Sequence, residues 1–140
     1  MPDEQRSVTI SDLPRDECER LLASHNVGRL ALVVDGQPHL LPVNYAVAGR
    51  GEIVFRTAAG SLLNEASLQR VAFEVDRIDG QAHEGWSVVV EGYCRDIADA
   101  IDAESVAMRG LPLVTWAPGD RQQWFKIAPS GVTGRRIAPA

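Results

Sequence analysis

Gly28-Arg29-Leu30-Ala31-Leu32-Val33-Val34-Asp35-Gly36-Gln37 is the stretch on which the fold of this 140-residue chain turns. Before it, apolar residues recur at helical spacing; within it they follow a strand pattern rich in Leu and Val. Asp35-Gly36 is the strongest short hairpin signal in the chain, because both central residues of the tight turn need positive φ. The return strand, Gln37 to about Ala48, carries Pro38 and Pro42. Proline has no N–H for a ladder, so this strand is expected at a sheet edge, or bulged.

Upstream, residues 1–10 read as a loose arm ending in the apolar pair Val8 and Ile10. A helix is expected from about Pro14 to His25. Pro14 suits its first turn, Asp16 and Glu17 its positive end, and Cys18, Leu21 and Leu22 form an apolar stripe onto which Leu13 can staple. Downstream, Glu52–Thr57 reads as a strand and Ser61 to about Leu68 as a short helix. Residues 70–78 alternate, with Val71, Phe73 and Val75 on one face and Glu74 and Asp76 on the other. Trp86–Ile97 is long enough to bend, with a bulge at Gly92. A helix over 98–109, an irregular loop over 111–119, a strand over 122–128 and a last short strand over 132–137 complete the chain.

Strands joined by hairpins and short connections favour an antiparallel sheet, which at this strand number must curl to protect its edges. The expected architecture is mainly β: a small barrel of six or seven antiparallel strands with about three short peripheral helices. Residues 1–10 would form an arm and 11–140 one domain.

Composition narrows the function. A formal net charge of −5 and a pI near 5.1 argue against a nucleic-acid binder that depends on phosphate neutralisation. No window reaches the length of a membrane span, and the polar N-terminus lacks an apolar leader core, so a cytoplasmic location is expected. Cys18 and Cys94 have no CxxC spacing, and His25, His39 and His83 share no ligand spacing, so no metal site is indicated.

No nucleophile elbow, Walker A loop or Gly-rich dinucleotide turn is present, and no catalytic acid or base can be named. The segment Phe55-Arg56-Thr57-Ala58-Ala59-Gly60-Ser61-Leu62 carries an arginine, two hydroxyls and a glycine between a strand and a helix start. By itself it is first of all a plain strand–turn–helix junction with a capping serine. It also has the layout of an anion site, with the Arg56 fork, the Thr57 and Ser61 hydroxyls and close backbone approach at Gly60. Trp86, Trp116 and Trp124 stand at strand ends and in a loop. Each alone suits a core or subunit contact; together, beside a phosphate-like site, they tilt toward a planar phosphorylated ligand.

The order of these segments resembles the pyridoxamine 5′-phosphate oxidase-related flavin-nucleotide-binding proteins, which share the split-barrel fold. The likeness runs over about residues 12–137. It is carried by Val27-Gly28-Arg29-Leu30-Ala31, Pro42-Val43-Asn44-Tyr45, Phe55-Arg56-Thr57 with Gly60-Ser61, and Val71-Ala72-Phe73-Glu74-Val75-Asp76. Gly85-Trp86-Ser87-Val88, Trp116-Ala117-Pro118-Gly119, Trp124-Phe125-Lys126-Ile127 and Thr133-Gly134-Arg135-Arg136 complete it.

The resemblance implies a homodimer with FMN at the subunit interface and a flavin-dependent oxidoreductase acting on a small molecule. Pro42, Val43, Asn44 and Tyr45 would run along the ring, with Asn44 bonding its edge. Arg56, Thr57, Gly60 and Ser61 would hold the phosphate, and Trp86, Trp116 and Trp124 would meet ring or substrate, partly from the second subunit. Many relatives follow the Gly-Ser pair with a lysine, where this chain has Leu62. One lost charge-assisted hydrogen bond is worth roughly 1.5–3 kcal/mol, so FMN binding would be weakened. A deazaflavin nucleotide or haem then enters as an alternative cofactor, and a carrier or sensor without turnover as an alternative function.

Overall fold

The computed structural model describes residues 7–140. Strand β1 (Val8–Asp12) leads into helix α1 (Arg15–Ala23), and β2 (Val27–Val34) and β3 (Gln37–Asn44) follow as a hairpin. Next come β4 (Ala46–Val47), β5 (Ile53–Thr57) and a 3-10 helix (Leu62–Ala66). The long hairpin of β6 (Gln69–Asp79) and β7 (Glu84–Asp96), helix α2 (Ala103–Arg109) and β8 (Gln123–Pro139) complete the chain. The described residues thus form eight strands in one antiparallel sheet, ordered β3-β2-β6-β7-β8-β5-β4 with β1 against β8.

The hairpin signal is realised: Asp35 and Gly36 both have positive φ, 50° and 76°. The proline-bearing β3 ends the sheet, where its missing donors cost no ladder bond. At the opposite end lies β4, yet Tyr45 alone separates β3 from β4 in sequence. The two edges must therefore come together, and the sheet curls into a split barrel. Tyr45 pins this seam. Its N–H donates to Asn26 O at 3.0 Å, its buried hydroxyl to Leu22 O at 2.5 Å, and its ring meets Phe73 edge-on at 4.8 Å.

Alternation along the strands fills the interior. Leu30, Ile53, Phe55, Phe73, Val88, Val90, Phe125 and Ile127 are buried there, and Cys18, Leu21 and Leu22 of α1 close one side. Val54 and Trp124 point to the other face of β5 and β8, where Ile97, Met108 and Leu113 cover them.

Several boundaries differ from the sequence reading. Val8–Asp12, partly assigned to a loose arm, is a strand paired with Arg135–Pro139; residues 1–6 of that arm lie outside the described residues. The two late strands are one, Gln123–Pro139. Its N-terminal half pairs with β5 and its C-terminal half with β1, both on the side away from β7. A bulge at Ser130 absorbs the Pro129–Gly131 interruption, because Glu91 pairs with Gly131 and Gly92 with Pro129. The irregularity falls beside Gly92, as the sequence suggests, but the extra residue belongs to β8. A Cβ on residue 92 would stand 2.2 Å from Ala128 O, so glycine is needed for that close approach. The helix expected from 98 begins at Ala103, where the Asp102 carboxylate accepts from Ser105 N–H at 3.0 Å. Of the three expected helices, the one over 61–68 is a 3-10 segment that ends at Ala66, where Ser67 turns to extended backbone (φ −62°, ψ 140°). No helix among the described residues is long and apolar enough to cross a membrane.

Candidate functional site

The seam of the curled sheet opens into a small cleft. Pro42, Val43 and Asn44 from the end of β3 line it with Arg56 of β5 and Leu63 of the 3-10 helix. Thr115, Ala117 and Arg121 from the loop before β8 complete the wall around a volume of about 70 Å³. Larger clefts exist, one of about 290 Å³ between the β4–β5 turn and α2. There the charged pair Arg50 and Glu104 satisfies itself at 3.5 Å. The smaller cleft is chemically different.

Among the described residues, three buried side-chain polar atoms lack a hydrogen-bond partner: Arg56 Nε, Thr57 Oγ1 and Arg121 Nε. Two of the three belong to residues lining this cleft. A buried donor left unpaired costs about 1–3 kcal/mol, and more when charged. Among the described residues neither arginine forms an ion pair, whereas Arg15, Arg20, Arg29, Arg50 and Arg136 all do. Arg56 is held instead by the indole of Trp124, its guanidinium carbon 5.1 Å from the ring centroid. The strand register explains the contact, since Arg56 lies opposite Trp124. A cation over an aromatic face keeps its charge uncancelled and its donor edge free. Arg121 donates to Pro118 O at 3.0 Å, which fixes the arginine to its own loop.

That loop is tied to β3 by Asn44, whose Oδ1 accepts from Trp116 N–H at 2.9 Å; its amide nitrogen reaches Asn26 O at 3.5 Å. The Trp116 indole itself is 71% exposed. Of the remaining residues singled out in sequence, Ser61 caps the 3-10 helix by accepting from Leu63 N–H at 3.2 Å. Gly60 forms the preceding turn with φ 79°. Thr57 is fully buried at the end of β5. Tyr45 lies in the core, where burial pushes its hydroxyl pKa up. Trp86 is buried against His25, ring centroids 5.0 Å apart, and lines a different groove with Arg77 and Arg136. Within one chain, Pro42, Val43, Asn44 and Arg56 come together with the Trp116 backbone and the Trp124 ring; Tyr45 and Trp86 do not join them.

Arg121 went unremarked in the sequence. The available signal is weak: a cation three residues before Trp124, meaningful only once β5 is known to pair with β8. Leu62, which stands where the resemblance places a lysine in many relatives, is 37% exposed and adds no charge.

A family model described as pyridoxamine 5′-phosphate oxidase matches residues 14–136. The Uncharacterized protein Rv0080 of Mycobacterium tuberculosis is 34% identical over 139 residues, covering 95% of this chain and 89% of the relative. An FAD binding protein from Mycobacterium smegmatis superposes with a TM-score of 0.75 at 34% identity, over 91% of this chain and 99% of that one. A FAD-binding protein from Mesorhizobium loti gives 0.73 at 28% identity, over 94% and 99%. The chain belongs to the pyridoxamine 5′-phosphate oxidase family.

Proposed function

We propose that the protein binds a flavin nucleotide at the seam cleft and serves as a flavin-dependent oxidoreductase on a small substrate. The observation that carries this reading is Arg56: a guanidinium seated on Trp124, with Nε buried and unpartnered and no ion pair among the described residues. Such a group suits an anion that brings its own acceptor oxygens, and the phosphate shared by FMN and FAD is one. FMN brings that phosphate together with a planar ring. FAD is equally compatible with it, and two relatives at 34% and 28% identity are described as FAD-binding. Pro42 and Val43 offer an apolar edge for the ring, and Asn44 an amide for its polar rim once Trp116 N–H gives it up.

When bound, the flavin supplies hydride or electron transfer. The chain's own residues bind and orient it: Arg56 fixes the phosphate, and the 110–122 loop with Trp116 shields the seam from water. We further propose a homodimer. The outer face of β2 and β3 carries Val33 and Leu40, 53% and 65% exposed, and adjoins Pro42 at the cleft. A second copy would cover this face and complete the small cavity. The free, buried Cys18 and Cys94 suit a reducing cytoplasm.

A second reading, a flavin carrier without turnover, is favoured by one observation. Arg56 and Arg121 are the only ionisable residues among the described residues lining the cleft, and no Asp, Glu, His, Cys, Tyr or Lys stands among them to move a proton. The absorbance spectrum of purified protein, followed by titration with FMN, FAD, a deazaflavin nucleotide and haem, tests the reading. Flavin bands that stay with the protein are expected. A Soret band, or a melting temperature raised by none of the four, would overturn it. Reoxidation of a reduced nicotinamide donor by the loaded protein then separates enzyme from carrier.

A further inference from the structure

We infer that Arg121 is the second cation of the phosphate end of the cleft, so that the ligand's phosphate is gripped between an arginine from β5 and one from the loop preceding β8. The inference rests on the flavin-nucleotide reading and adds a residue to it. A phosphate monoester carries about −1.5 to −2 charge at neutral pH, which a single guanidinium leaves under-compensated. The 3-10 helix brings Leu62 and Leu63 to this neighbourhood, and neither contributes charge. Arg121 does. It lines the same cleft as Arg56, its Nε is buried without a partner, and no carboxylate pairs with it.

The surroundings argue that Arg121 is held for a ligand. The nearby carboxylate of Asp120 accepts from Gln122 Nε2 at 2.7 Å and forms no ion pair with Arg121. Pro118 O takes one of the five guanidinium N–H donors, which fixes the side chain to the loop. The loop is in turn fixed to β3 through Asn44 and Trp116. Two arginines of the same charge line one cleft of about 70 Å³. Two like charges lining one cleft favour an anion as the group that joins them. A phosphate and a pyrophosphate both bring anionic acceptor oxygens, so FMN and FAD are both candidates and riboflavin is the uncharged comparison.

The test is the affinity of riboflavin, FMN and FAD for wild type, Arg121→Ala and Arg121→Lys, read by quenching of flavin fluorescence at two salt concentrations. Removing one charge-assisted contact should weaken FMN and FAD about 10- to 100-fold in Arg121→Ala. Riboflavin binding should stay within about twofold, and the salt dependence for FMN should flatten. Arg121→Lys should recover part of the loss, and its melting temperature shows that the fold is kept. If Arg121 only anchors its loop to Pro118, all three ligands weaken together, and that result overturns the assignment. FMN and FAD affinities unchanged in Arg121→Ala overturn it as well, while leaving the flavin reading standing. A wild-type protein that binds none of the three overturns both.

Discussion

Arg29 and Arg56 sit on the same sheet and are treated in opposite ways. Arg29, on β2, donates to Glu74 at 3.0 Å and to Asp76 at 2.9 Å across the neighbouring β6. Its charge is answered by the chain itself, in a half-exposed setting where such contacts add little stability. Arg56, on β5, is sandwiched between an indole and an open cleft, with Nε unanswered. The comparison teaches where the molecule is complete and where it waits for something. The β2–β6–β7 region answers its own charges, and the β3–β5 seam is the proposed site.

Scaffold and site should fail differently, which gives four ways to break the comparison. The largest effect belongs to the scaffold. Phe73 is fully buried against Tyr45, and Phe73→Ala should cost about 3–5 kcal/mol of stability, measured by urea denaturation. A loss below about 1 kcal/mol would mean that the seam is not packed as described. Next is the site. Arg56→Ala should lower FMN affinity by about one to two decades and lower the melting temperature only slightly, because it strands no hydrogen-bond partner and gives up only the contact with the Trp124 ring. A large fall in melting temperature without a loss of affinity would make Arg56 a structural residue.

The Arg29 cluster should give a smaller, pH-dependent effect. Burial, then the neighbouring Asp76, hold the Glu74 carboxyl above its ordinary value despite Arg29. A carboxyl whose folded pKa is raised binds its proton more tightly when folded. Its contribution is therefore present below the unfolded value and is lost as pH rises through the folded one. Glu74→Gln should accordingly become relatively more favourable on going from acid to neutral pH, in parallel melts of mutant and wild type. The opposite trend would show that Arg29 dominates the cluster. The smallest expected effect is none. Burial, with Asp96 nearby, pushes the Cys94 thiol up to about 12, and burial also raises Cys18. A thiol reagent at mildly alkaline pH should label neither cysteine until denaturant is added. Labelling of the native protein would show that the scaffold opens.

How far the sequence could be read follows the same division. Features set by local rules were legible: the Asp35-Gly36 turn, the edge strand marked by Pro38 and Pro42, the buried face of Val71, Phe73 and Val75, and the irregularity beside Gly92. Features that depend on distant pairing were not. All five residues of β1 are exposed, so nothing in their pattern announces a strand; only the far half of β8 makes them one. Pro129, Ser130 and Gly131 read as a break between strands. Their continuity needs Ser130 to bulge out and bond Glu91 O at 3.1 Å. The site divides likewise. Arg56 could be singled out as a candidate because its whole motif is contiguous. Arg121 was not, because it gains meaning only when a loop folds over a strand 65 residues earlier in the chain.

The central claim is that the seam grips a phosphate, and the preference of the wild-type protein for FMN over riboflavin tests it most directly. Two guanidinium contacts imply that FMN binds at least tenfold more tightly than riboflavin at low salt, with the gap narrowing as salt is added. Equal affinity for the two, at any salt concentration, would contradict the account.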